Sequence, residues 1–268
     1  RRRLDEPPVK QPSPGCYAEL RCRTNFSFLE GASHPDELVN RAAELGLAAL
    51  AITDRNSLAG VVRAHVAAKE AGLKLLIGAE ITPTDAPPAI LLATDRASYG
   101  RLSTLITQGR RNAAKGECHL AFKDVAAHAD GLLSCIPLSD CLPGDEGNGL
   151  HRYRECFGDR CYLLAELHRG PHDCLHLSRL RDLARQVSLP VVAANDVHYH
   201  IPKRQPLQDV LTAIRHGCTV AELGHRRFPN AERHLKSADA MLDLFSELPD
   251  AVSRTRDVAD RCQFSLDE

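Results

Sequence analysis

The feature that most constrains this chain is an alternation of short, unbroken apolar runs with longer amphipathic stretches. AALAIT (48–53), KLLIGAEI (74–81), PAILLAT (88–94), GLLSCIP (131–137), CYLLAEL (161–167) and LPVVAAN (189–195) have strand length and do not alternate in polarity. Runs of this kind belong to strands buried on both faces, as in a parallel sheet covered by helices. A further strand is read over 17–22. Between 33 and 46, Leu38, Val39, Ala42 and Leu45 share one helical face. Ser33 reads as the N-cap, with Pro35 in the first turn and Asp36 three residues after the cap, and Gly46 supplies a left-handed stop. Helices are also read over 57–71, ending at Gly72, and over 99–111, with Leu102, Leu105 and Ile106 inward. Seven strands, nearly all followed by a helix, predict an α/β fold, either a closed or nearly closed parallel barrel or a doubly wound open sheet. Terminal helices over 206–216, 238–245 and 249–262 are expected to cover one side.

With 43% hydrophobic and 26% charged residues, the chain is too apolar for a disordered tail and too charged for a membrane bundle. Lys and Arg number 34 against 35 Asp and Glu, a net charge of −1, so no global positive field draws the chain to nucleic acid. No apolar stretch approaches the roughly 18 residues of a membrane span, so no membrane partner is expected. Ten cysteines without a Cys-x-x-Cys pair argue against zinc ribbons and disulfide scaffolds, and they fit a reducing cytoplasm. Residues 1–15, rich in Arg and Pro and without periodicity, read as a flexible leader, and Arg at position 1 as the mark of an excised piece. One domain is expected over 16–268.

In a parallel barrel, functional groups lie just beyond the carboxyl ends of strands. Arg21 and Arg23 stand there after the first strand, Asp54 and Arg55 after the second, Glu80 at the end of the third, and Asp196 and His198 after the last, with His200 beyond. An Asp after a strand is often only a cap or turn residue, and a single His is often a packing residue. Glu80 has no capping role to explain it. Carboxylates gathered at one mouth repel one another unless cations sit among them, so either metal ions or the three arginines must balance the charge. The triple His168, His172 and His176 is interrupted by Gly170 and Pro171, which argues against a metal-binding helix face. No Gly-x-x-x-x-Gly-Lys, Gly-x-Ser-x-Gly or Gly-x-Gly-x-x-Gly motif occurs to suggest an NTPase, hydrolase or dinucleotide fold.

YAELRCRTNFSFLEG through LLIGAEI (17–81) and NDVHYHIPKRQPLQDVLTAIRHG (195–217) resemble the PHP (polymerase and histidinol phosphatase) domain at the N-terminus of bacterial DNA polymerase III alpha subunits. More narrowly they resemble the error-prone, damage-induced branch. The closing NAERHLKSADAMLDLF and RCQFSLDE are similar to the seam before its polymerase part. The resemblance implies a distorted (β/α)7 TIM-like barrel, the PHP fold, with extra C-terminal helices, ending at the seam with a polymerase core. In the family, His, Asp, Glu and Cys ligands hold two or three metal ions that serve phosphoester hydrolysis. Matched position by position, Asp54, Glu80, Asp196 and His198 stand at ligand positions, whereas Arg21, Arg23 and Arg55 replace three histidines. Arginine stays protonated and offers no lone pair to a metal. Cys141 and His168 are the candidates for the ligands midway along the chain.

The resemblance, with these substitutions, implies a catalytically degenerate, structural domain of an error-prone DNA polymerase acting in translesion synthesis after DNA damage. It implies no cofactor for this domain, Zn or Mn being the metals a reduced site would take, with Mg confined to the polymerase core. The implied partners are that core on the same polypeptide, DNA through the full-length protein, the sliding clamp and mutasome accessory proteins. A metal-dependent phosphoesterase, a 3′ exonuclease or pyrophosphatase built on Asp54, Glu80, Asp196 and His198, is the alternative. The arginines are expected to face the mouth and pair with the carboxylates, lowering the pKa of Asp54 and Asp196.

Overall fold

The computed structural model describes residues 16–137 and 146–268; the expected leader and Cys141 lie outside the described residues. The described strands are β1 (Ala18–Glu19), β2 (Ala49–Ile52), β3 (Lys74–Ile81), β4 (Ala89–Ala93), β5 (Leu132–Pro137), β6 (Cys161–Glu166) and β7 (Val191–Ala194). They pair in chain order. A parallel bridge between Cys22 and Val197 brings the first strand back to the last, with Arg23 N–H on the Val197 carbonyl and Val197 N–H on the Arg21 carbonyl, both at 2.9 Å. The result is a nearly closed seven-stranded barrel flanked by helices, and the open-sheet alternative is excluded.

One strand departs from the all-parallel expectation. β4 runs antiparallel to both β3 and β5, with Gly78 opposite Leu92 and Ile90 opposite Cys135, while the other neighbours are parallel. The cause is connection length: residues 82–88 are too few for a crossover helix, which parallel pairing needs, so β3 and β4 form a hairpin. The end of β4 therefore points away from the mouth, and Thr94 instead receives the backbone N–H of Gln263 at 2.8 Å.

The helices follow their caps. α1 (Pro35–Glu44) starts one residue later than the Ser33 cap predicts: His34 is the N-cap, with Glu37 bonding back to its N–H at 2.9 Å. The Ser33 hydroxyl is engaged by His200, whose N–H it accepts at 3.0 Å. α2 (Val61–Ala71) ends at left-handed Gly72. α3 (Arg96–Arg111) begins three residues before the expected start because Asp95 caps it, accepting the Ser98 N–H at 2.7 Å. α4 (Phe122–Ala127), α5 (Glu146–Phe157) and α6 (Asp173–Val187) complete the outer layer, and α7 (Gln205–His216), α8 (Ala238–Leu244) and α9 (Pro249–Arg261) form the expected terminal set.

The core has two layers. Leu50, Ile52, Ile77 and Leu91 pack outward against Leu38, Val39, Ala64 and Leu102 of the helices. Ala49, Ala51, Leu76, Leu92, Leu133, Leu164 and Val192 fill the barrel, joined by Val258, Ala259 and Cys262 of α9 and the residue after it. α9 lies across the amino-terminal ends of the strands: Thr255 Oγ1 accepts the Ala18 N–H at 3.0 Å and Arg254 bonds the Val191 carbonyl. One end of the barrel is thus plugged with apolar groups, which leaves the carboxyl end as the polar mouth.

Candidate functional site

Alternation along the strands decides which groups enter the mouth. Leu76 and Glu80 of β3, Leu164 and Glu166 of β6, and Ala194 of β7 with Asp196 beyond it share the inward parity. Arg21 and Arg23 reach the same space from the seam. Ladder pairing of β1 stops at Glu19 because the Arg21 N–H bonds the Glu19 carboxylate at 3.0 Å, and the chain then resumes pairing at Cys22. The two arginines, two residues apart, project to the same side.

Their guanidinium groups are buried, Arg21 at 1% and Arg23 at 4% exposure. Arg21 holds Glu80 Oε2 with Nη2 at 2.9 Å, Glu166 Oε1 with Nη1 at 2.8 Å and Asp196 Oδ1 with Nε at 3.1 Å. Arg23 holds Asp196 Oδ1 at 2.8 Å and Glu80 Oε2 at 2.5 Å. Arg55 reaches Glu80 Oε1 at 3.4 Å and Glu30 Oε1 at 2.8 Å. Arg215 also pairs with Glu30, at 3.1 Å, and Arg233 pairs with Asp196 while stacking on Phe228 at 4.5 Å. Burial alone would raise the pKa of the Glu80 carboxyl, but Arg23, Arg21 and Arg55 overcome it and hold Glu80 well below the usual carboxylate range. Asp196 takes a left-handed backbone with φ 45°, a conformation that its guanidinium partners help to hold.

His198 is neutral and fully engaged. Its Nδ1 lies 2.7 Å from the Glu30 carbonyl, which can only accept, so Nδ1 carries the proton and the lone pair is on Nε2. Arg23 Nη1 donates to that Nε2 at 2.7 Å. Burial, with Arg23 next in importance, pushes the His198 pKa down to about 3.

Asp54 is not part of this cluster, contrary to expectation. Its parity is that of Leu50 and Ile52, which face outward, and it accepts from Thr24 N–H and Oγ1 at 2.8 Å each and from Ser27 Oγ at 2.7 Å. Its pKa is raised, not lowered, because burial outweighs these hydrogen bonds. His168 also serves the scaffold: its Nε2 lies 3.0 Å from the Asn195 carbonyl. His200 pairs with Ser33 at 2.7 Å.

Sequence reasoning missed Glu30, Glu166, Gln208, Arg215, Arg226 and Arg233. Glu166 was within reach, since it ends an apolar strand as Glu80 does. The others come from a loop and from segments after β7, which carry no strand-end signal. All of these residues but Glu166 line, together with Arg21, Arg23, Arg55, Asp196 and His198, a cleft of about 210 Å³, and Arg21 of that lining holds Glu80 and Glu166.

A family model described as the PHP domain matches residues 19–159, more than half of the chain. The chain belongs to the PHP domain family. Curated relatives share nearly the whole PHP domain: an error-prone DNA polymerase of Rhodopirellula baltica is 46% identical over 262 residues, covering 94% of this chain and 23% of its own length. One of Methylococcus capsulatus is 49% identical over 253 residues, covering 94% of this chain and 24% of its own length. The chain thus spans about a quarter of these relatives. A crystal structure from Bifidobacterium adolescentis, assigned as a metal-dependent phosphoesterase, superposes with a TM-score of 0.51 at 18% identity, covering 70% of this chain and 89% of that one, and shows the shared fold.

The residues at this PHP mouth do not fit the metal ions of the family. Glu80 and Asp196 turn their oxygens to guanidinium groups, the lone pair of His198 accepts from Arg23, and three expected imidazoles are arginines. Among the described residues no group of three or more His, Cys, Asp and Glu side chains is arranged to hold a metal. No helix among them is long and apolar enough to cross a membrane.

Proposed function

We propose that this chain is the PHP domain of an error-prone DNA polymerase that has exchanged metal-dependent phosphoester hydrolysis for a structural role, bracing the polymerase core of the same polypeptide during translesion synthesis. The reading rests on one observation: Arg23 alone engages Glu80, Asp196 and His198, three positions that serve metals in the family. A guanidinium supplies cationic charge but no ligand-activated water, so the mouth keeps the electrostatic balance of a metal centre without its chemistry. The names of the relatives, and the quarter of their length that the chain spans, support the larger context. In that context nucleotide addition with Mg, contact with DNA, the sliding clamp and mutasome proteins belong to the rest of the polypeptide, in the cytoplasm.

Two measurements test this. Elemental analysis of the purified chain should find no stoichiometric Zn or Mn, and neither metal should raise cleavage of phosphate monoesters or of DNA 3′ ends above background. Hydrolysis that disappears in Asp196→Ala would overturn the reading and restore the phosphoesterase.

A further inference from the structure

α7 is turned inside out. Its buried face carries Gln208, Asp209, Thr212 and Ala213, while Leu207, Val210 and Ile214 are exposed, with half-buried Leu211 beside them. The spacing i, i+3, i+4 and i+7 makes one apolar stripe, of the kind that α1 turns inward with Leu38, Val39 and Ala42. The polar face of α7 serves the mouth, where Gln208, Thr212 and Arg215 line the cleft. The apolar face is left to the outside.

A second, independent observation comes from the loop beside the stripe. Phe28, between β1 and α1, is 82% exposed, and the next residue, Leu29, takes a left-handed backbone with φ 60°. A leucine in that conformation is strained, and strain of this kind clusters where a site uses it. Phe28, Leu29, Leu207 and Leu211 line one groove of about 260 Å³. Asn25 lines the same groove, and its amide oxygen is buried without a hydrogen-bond partner. A joined apolar patch on a domain surface marks an interaction site.

We infer that this groove and stripe seat the polymerase core of the same polypeptide, which docks through an apolar ridge flanked by carboxylates. The inference rests on the reading of the chain as one domain of a longer polymerase, and it assigns the face through which that domain braces the core. Size selects a tethered partner. The patch is far smaller than the roughly 20–30 residues a side of a stable contact between separate proteins, whereas a neighbour on the same polypeptide is held at high effective concentration and needs less. The chain spans 23% and 24% of two curated relatives, so about three-quarters of such a polypeptide is available to supply the ridge. Charge selects against a second copy. Lys203 and Arg204 precede the stripe, Arg215 follows it, and the one carboxylate of α7, Asp209, is buried and paired with Arg227. Two copies packed stripe to stripe set cation against cation in either direction, while carboxylates flanking a partner's ridge meet these cations.

Hydrogen exchange measured on residues 1–268 alone and on the full-length polypeptide tests the inference. Exchange over 25–31 and 205–216 is expected to be about tenfold slower in the full-length polypeptide, and to return to the rate of the shorter chain when Val210→Asp and Ile214→Asp are introduced together. Both side chains are exposed, so the shorter chain carrying the two substitutions keeps its unfolding temperature, and the comparison of the unsubstituted proteins stands without it. Equal exchange in the two unsubstituted proteins overturns the inference, as does slowing that the substitutions do not reverse. In either case a single melting transition shared with the rest of the polypeptide leaves the bracing role standing on another face, and independent melting removes that role as well. A dimer of the shorter chain that the substitutions dissolve would give the face to a second copy and overturn the inference too.

Discussion

Arg23 and Arg55 occupy equivalent places in the motif comparison, yet physical chemistry separates them. Arg23 is buried with three partners, so Arg23→Ala takes one shared cation away from Glu80 and Asp196 in a low-dielectric site and should cost about 3–5 kcal/mol of stability. Arg55, with 43% of its side chain exposed, should cost about 1 kcal/mol or less when replaced by Ala. Urea unfolding of the two variants checks the contrast, and equal losses would mean that burial does not set the strength of these pairs. At this scale the sequence was partly legible. An arginine at a histidine position announces a lost ligand, and charge balance says that it faces carboxylates. It cannot say which carboxylate, because that depends on strand parity: Glu80 and Asp196 have inward parity and Asp54 does not.

The loop between β1 and α1 carries Glu30, whose carboxylate joins Arg55 and Arg215 and whose carbonyl orients His198. It folds tightly on itself, and a Cβ on Gly31 would stand 2.1 Å from the Thr24 carbonyl oxygen. Gly31→Ala must therefore displace backbone, with an expected loss of about 1–3 kcal/mol and a weaker hold on Glu30. Thermal unfolding reads the first effect, and a structure of the variant reads the second. Elements of this kind are poorly legible in sequence, since the constraint is a contact across the loop and not a period along it. The apolar runs were far more legible: β2 to β7 fall within a residue or two of where the runs place them. The direction of β4 was not, because an apolar run has no polarity of its own. Only the short 82–88 connection fixes it.

At the scale of the whole molecule, barrel closure depends on a buried carboxyl. Glu19, fully buried, accepts from the Arg21 N–H at 3.0 Å and the Asn195 N–H at 3.2 Å, so it ties the first strand to the end of the last. Burial pushes its pKa up to about 7. Between its ordinary value near 4.5 and about 7, the folded chain holds a proton that the unfolded chain has released. This contribution to stability is complete below the lower value and is lost as pH rises through the upper one. His168 and His198, both lowered to about 3, work the other way: theirs is present above 6.5 and lost as pH falls. Glu19→Gln removes the Glu19 trend and leaves the others, so the stability of the variant relative to the wild type should decline as pH falls from 8 to 4.5. Paired urea titrations across that range check it, and a constant difference would remove Glu19 from the account of the seam.

The plug formed by α9 also bears on how the chain is made. The hydrogen bond from Ala18 to Thr255 joins residues 237 positions apart, and Val258 and Ala259 complete the packing around Ala49 and Leu76. Strands synthesised first therefore wait for the final helix before their interior is sealed against water. While these residues are being synthesised the barrel stays open, and the domain reaches its finished state only when residues 249–261 clear the exit tunnel.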